Sequence, residues 1–177
     1  SYSEWVLGEN REDTQMYVTT QWDPESQAMF AYNRYHRDFG NYLAFVCSVP
    51  ISKSFTGNRT EFIGRNNDYT QPAALKRKGL AGTTGAAYDP CAALHLDVEL
   101  NPNENYEVVF IMGYAPDEAT ARSIILKCRE KDFVEHSYLE TLRWWDKSLS
   151  VIQVTTPDPG INFSVNRWLL YQNLSCR

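Results

Sequence analysis

Short apolar, β-prone runs divided by polar turns fill the first two-thirds of the chain. Trp5-Val6-Leu7, Tyr17-Val18-Thr19-Thr20, Met29-Phe30-Ala31-Tyr32 and Leu43-Ala44-Phe45-Val46 read as strands. Gly8-Glu9-Asn10 and Trp22-Asp23-Pro24-Glu25 supply turn chemistry between them. From Ala92 to Leu100 the pattern has a period of two. Ala92, Leu94, Leu96, Val98 and Leu100 fall on one face, and Ala93, His95, Asp97 and Glu99 on the other. After Asn101-Pro102-Asn103-Glu104-Asn105, the run from Tyr106 to Met112 is predicted to fold back as its hairpin partner. The expected sheet is antiparallel, with one face in the core and one in water.

The period changes at Pro116. Ala121, Ile124, Ile125 and Cys128 lie at helical spacing behind Pro116, Asp117 and Glu118, which suit a first turn. A second helix is predicted near Asp132, where Glu135 completes a capping-box pattern, with an apolar stripe of Val134, Tyr138, Leu142, Trp145 and Leu149. Val151 to Thr155 reads as a short extended stretch. Asp158-Pro159 then opens a third helix carrying Ile161, Val165, Trp168 and Leu169. No Gly, Asn or Pro closes this helix before Arg177, and Ser1 stands next to a strand-like run, so the expectation is a segment of a longer polypeptide. The fold class that follows is mainly β: an antiparallel sheet, as in a β-sandwich, over residues 1–115, helices over 116–150, and a short strand with a further helix over 151–177.

Composition narrows the function classes. A chain of 177 residues with 43% apolar and 22% charged residues can bury a core. The net charge of -5 argues against a nucleic-acid partner. No apolar run is long enough to insert directly into a membrane. Aromatic content is 14%, which suits strands and also sugar-binding surfaces. Cys47, Cys91, Cys128 and Cys176 show no paired spacing and are expected as free thiols, buried where they sit inside apolar patterns. That usage points to a reducing, cytoplasmic compartment.

Few constellations carry chemistry. Cys91 and His95 lie roughly 13 Å apart along a strand, whereas direct proton transfer needs about 3 Å. His95, Asp97 and Glu99 share a strand face, which a solvated surface explains without a metal. Thr83-Thr84-Gly85 matches no nucleotide-binding fingerprint, so no cofactor is implied. What remains is a long polar stretch, Gly64 to Asp89, exceeding the roughly 15 residues usual for structureless loops. Within it Arg65, Asn66, Asn67 and Asp68 offer the planar donors and acceptors that match sugar hydroxyls. They are the candidate sugar-facing loop, with a solvated turn as the plainer alternative.

Several runs carry a resemblance. Ser1-Tyr2-Ser3-Glu4-Trp5-Val6-Leu7-Gly8, Arg59-Thr60-Glu61-Phe62-Ile63-Gly64-Arg65-Asn66, Pro72-Ala73-Ala74-Leu75 and Asp89-Pro90-Cys91-Ala92-Ala93-Leu94 resemble the phosphorylase-like region of cyclic β-1,2-glucan synthases. So do Thr155-Thr156-Pro157-Asp158 and Asn166-Arg167-Trp168-Leu169-Leu170-Tyr171-Gln172. The wider group is glycoside hydrolase family 94, formerly glycosyltransferase family 36. The resemblance implies a partial super-sandwich followed by linker helices and the first helix of an (α/α)6 barrel. It implies a parent enzyme that breaks a β-glucosidic bond with inversion, using inorganic phosphate as co-substrate. The general acid would lie in the barrel, outside this chain, so no catalytic residue is assigned here. It also implies a β-glucan oligosaccharide as ligand of the full-length enzyme, and a cytoplasm-facing parent anchored to the inner membrane. A free-standing carbohydrate-binding β-sandwich and a purely structural linker module stay open as alternatives. Unpaired sheet edges are expected to promote self-association.

Overall fold

The computed structural model describes residues 1–176, which divide into two units, Ser1–Arg129 and a second beginning at Glu130. In the first unit the strands are β1 (Tyr2–Glu4), β2 (Val18–Asp23), β3 (Ala28–Asn33), β4 (Leu43–Val49), β5 (Ser54–Asn58), β6 (Pro90–His95) and β7 (Val109–Ala115). Its helices are α1 (Arg11–Thr14), α2 (Arg59–Ile63) and α3 (Glu118–Cys128). The strands form two antiparallel sheets, ordered β1-β6-β5 and β2-β3-β4-β7, and the expected sandwich is present.

All six residues of β3 are buried. Phe30 and Tyr32 face one way, packing with Phe45, Cys47, Ala121 and Ile125 under α3. Met29 and Ala31 face the other, packing with Val18, Val46, Ala92 and Leu94 between the sheets. Helix α3 is capped by Asp117, whose carboxylate accepts the Thr120 amide at 2.7 Å. Its Arg122 makes a two-pronged contact with the buried Asp23, at 2.8 and 3.0 Å. Burial pushes the Asp23 carboxyl up, but hydrogen bonds from Arg122 and Ser26 outweigh it and hold the group at about 2.

The period-of-two reading fails at its end. β6 stops at His95, and Cys91 through Leu94 are buried on both faces. Ala93 therefore does not face water; β6 is the central strand of its sheet, between β1 and β5. Residues 106–112 do not form its hairpin partner either. β7 starts at Val109 and pairs with β4 in the opposite sheet. The first strand also lies earlier than expected, at Tyr2–Glu4 in place of Trp5–Leu7, where it can pair with Cys91–Ala93.

The polar stretch after Gly64 is in part a strap. Gly82 donates to Phe55 O at 2.8 Å, Gly57 to Thr83 O at 2.6 Å and Thr20 to Gly85 O at 3.1 Å. It thereby ties β5 of one sheet to β2 of the other. A Cβ on Gly57 would stand 2.4 Å from Thr20 Oγ1, so only glycine allows this approach.

The second unit contains α4 (Phe133–Leu149), α5 (Pro159–Phe163) and α6 (Leu169–Ser175), the last two joined by a π-helical turn at Ser164–Trp168. Asp158 caps α5 as expected, accepting from Gly160 at 2.8 Å. Asp132 does not cap α4: its φ of 64° is left-handed, and its side chain makes no capping bond. Val151 to Thr155 forms no strand; the Asn166 amide binds both backbone groups of Val154. No helix among the described residues is long and apolar enough to cross a membrane.

In β7, Gly113 lies opposite Phe45, and a Cβ there would stand 2.5 Å from the buried ring. Gly113→Ala is expected to destabilise the first unit by about 1–3 kcal/mol through overpacking. Urea unfolding followed at Trp5 and Trp22 measures this.

Candidate functional site

The candidate loop is placed by α2. Asn58 caps that helix, its Oδ1 accepting from the Thr60 and Glu61 amides at 3.0 and 3.4 Å. Gly64 ends it at φ 90°, in the left-handed half of backbone space, and the Asn67 amide lies over the missing Cβ. Arg65, Asn66, Asn67 and Asp68 then follow, all exposed. Asp68 closes the turn: its carboxylate accepts from Thr70 N at 2.9 Å, Thr70 Oγ1 at 2.5 Å and Gln71 N at 3.3 Å. These bonds draw its pKa below the ordinary aspartate value. Among the described residues, the Arg65 and Asn66 side chains have no hydrogen-bond or ionic partner, which leaves both available to a ligand.

The next residue, Tyr69, anchors the loop. Its hydroxyl donates to Glu4 and accepts from Arg59 Nη2 at 3.1 Å. Glu4 is the hub. Its Oε1 also accepts from Arg59 Nε at 2.7 Å and Tyr2 Oη at 2.8 Å, and its Oε2 pairs with Arg11 Nε at 3.0 Å. Asp89 neutralises the same two arginines, meeting Arg11 Nη2 closely and Arg59 Nη1 at 3.5 Å. The Tyr2 ring stacks on Phe62 at 4.6 Å. One carboxylate thus joins β1, α1, α2 and the loop. Partial burial raises the Glu4 pKa, but hydrogen bonds from Tyr69, Arg59 and Tyr2 overcome this and hold it at about 2. A group so firmly ionised is a clamp; a general acid needs a raised pKa.

Other sequence candidates resolve into structural roles. Cys91 is buried beside β5, its thiol donating to Thr56 O, and burial followed by the nearby Asp89 carboxylate pushes that thiol up to about 12. His95 Nδ1 meets Ser54 Oγ at 3.0 Å, and its Nε2 meets Asp97 Oδ1 at 2.9 Å. The spacing looks like a triad, but Ser54 Oγ already accepts the Leu80 amide at 3.0 Å and Asp97 is paired with Lys53. The cluster pins the segment around Leu80. Among the described residues, no group of three or more His, Cys, Asp or Glu side chains could hold a metal. All four cysteines are free, with Cys47 and Cys91 buried and Cys176 exposed. The Glu4 cluster was missed in the sequence because its members, from Tyr2 to Asp89, lie up to 87 positions apart and carry no local pattern.

On this geometry the Glu4 carboxyl should titrate near pH 2 in an NMR-detected titration, against an ordinary value of 4.5. A depressed folded pKa means that its stabilisation is complete above the ordinary value and is lost as pH falls toward 2. Tyr69→Phe removes one donor. It should move the midpoint upward, cost about 1 kcal/mol and speed amide exchange over residues 65–71.

Residues 1–131 match the family described as glycosyl hydrolase 94, supersandwich domain. The chain is 34% identical over 178 residues to the cyclic beta-(1,2)-glucan synthase NdvB of Rhizobium meliloti, covering 99% of this chain and 6% of that protein. It is 22% identical over 172 residues to the N,N'-diacetylchitobiose phosphorylase of Vibrio furnissii, covering 96% and 21%. It is 27% identical over 161 residues to the 3-O-beta-D-glucopyranosyl-beta-D-glucuronide phosphorylase of Paenibacillus borealis, covering 86% and 21%. The chain therefore spans a small part of each relative's length. By this match and by its paired antiparallel sheets, the chain belongs to glycosyl hydrolase family 94, as part of its supersandwich domain.

Proposed function

We propose that this chain is the non-catalytic scaffold region of a family 94 enzyme acting on β-glucans, and that it presents the Arg65–Asp68 loop to an oligosaccharide. The carrying observation is the loop's two-ended character. Tyr69 is locked into the Glu4 cluster, while Arg65 and Asn66 project free donors and acceptors four and three residues before it. Holding the backbone reduces the ordering cost of binding and leaves the polar heads for hydroxyls. The relatives' names, a glucan synthase and β-glycoside phosphorylases, support a sugar as ligand. In this reading the second unit carries linker helix and barrel entry, and the barrel supplies the general acid. Inorganic phosphate is then the parent's co-substrate, and the parent works in the cytoplasm, anchored at the inner membrane.

In the full-length enzyme, Arg65→Ala with Asn66→Ala is expected to raise KM for an oligoglucan about tenfold with kcat little changed, since uniform binding is lost. Unchanged kinetics would remove the loop from the binding surface. The isolated chain mixed with oligoglucan and phosphate should release no sugar phosphate.

The β7 edge supports self-association as well. Its sheet ends there, and Phe110 and Met112 are exposed beside unpaired backbone groups. Sedimentation of the 177-residue chain should show concentration-dependent dimers that Met112→Lys disperses. A monomer at all concentrations contradicts it.

A further inference from the structure

A groove of about 700 Å³ lies in the first unit between the segment after β1 and the turn joining β3 to β4. None of the Arg65–Asp68 residues lines it. Phe39, Tyr42 and Tyr114 do, and they are 61%, 38% and 72% exposed. Three large rings left in water on one groove are costly unless something covers them. Tyr42 lies next to both of the others: the Phe39 and Tyr42 centroids are 5.9 Å apart and those of Tyr42 and Tyr114 6.1 Å. Both walls are held. His36 Nδ1 accepts the amides of Asp38 and Phe39 at 3.2 Å each, and Tyr42 N donates to Phe39 O at 2.9 Å. Asn33 pins the facing wall by donating to Leu7 O at 2.7 Å. The Glu9 and Asp38 carboxylates line the same groove without an ionic partner among the described residues.

The geometry points to a second glucan-binding site, specific for a chain that turns at each residue, such as a β-1,2-linked oligoglucan. This rests on the carbohydrate reading above and adds a place and a linkage to it. The rings offer apolar faces to the C–H faces of successive pyranoses, and the unpaired carboxylates accept from hydroxyls. The ring spacing is comparable with the length of one sugar residue. Successive rings are inclined by 73° and 50°, which a flat β-1,4 ribbon cannot follow. A quaternary ammonium, which needs rings converging on one point, is the competing ligand.

The test is an NMR titration of the intact 177-residue chain with sophorotetraose (β-1,2-linked glucose), cellotetraose and choline chloride in turn. Saturable shifts over residues 7–10, 33–42 and 114 with sophorotetraose, and weaker ones with cellotetraose, are expected. Tyr42→Ala and Tyr114→Ala should each weaken this binding about tenfold while the spectrum stays folded. No groove shift with either sugar overturns the proposal. So do equal affinity for cellotetraose, choline producing the same shifts, retained affinity in both variants, or dimers that Tyr114→Ala dissolves without any sugar binding. Arg65→Ala with Asn66→Ala separates the two sites. Groove shifts that persist in it support the proposal whatever happens to the loop. Shifts confined to 65–71 sink the groove and leave the loop standing.

Discussion

Burial of β3 on both faces is the constraint from which the first unit follows. Ala28 to Asn33 has no polar face, so something must cover each side of it. One cover is the smaller sheet, through Ala92, Leu94 and Trp5; the other is α3, through Ala121 and Ile125. Ion pairing then fixes where α3 sits, because Asp23 at the end of β2 is buried and must meet a cation. Arg122 supplies it, and Arg129 adds hydrogen bonds to the Ser26 and Gln27 carbonyls. The helix is therefore part of the sheet unit, and the compact boundary falls after Arg129.

The same logic operates at the edge of the smaller sheet. β1 is only three residues long, too short to hold its place by backbone pairing alone. Glu4 adds a charged hub at its end, reaching Arg11, Arg59 and, through the tyrosines, the loop after α2. The two carboxylates that the fold grips hardest, Glu4 and Asp23, both stay ionised to about pH 2. Both brace the scaffold. Arg65 and Asn66 stand beside the Glu4 clamp. The aromatic groove lies at the Asn33 end of β3, the end away from Asp23.

Local chemistry was legible wherever one residue and its near neighbours decide the outcome. Asp158 caps its helix as read, because an acceptor side chain stands two residues before a free amide; Asp117, read as a first-turn residue, is the cap of α3 itself. β3 and β4 were visible as apolar runs. Asp132 shows the limit. Its spacing to Glu135 was right, but its left-handed backbone turns the side chain out of reach of the amides it would cap. Family membership was legible from the order of several short runs, since such an order survives where no single run is decisive.

The sequence by itself determined that two antiparallel sheets would precede helices, and that a long polar stretch would follow Gly64. Only the tertiary structure decided which strands are neighbours. Periodicity shows that Ala92 and Leu94 share a face, but not that the opposite face is also covered, nor that Val109–Ala115 joins β4 in place of β6. It also decided what the polar residues are for. Glu4, Arg59, Tyr69 and Asp89 become one cluster, and Phe39, Tyr42 and Tyr114 one aromatic group, because pairing and packing bring distant positions within a few ångströms. No local pattern encodes those contacts; they arise from the closure of the fold.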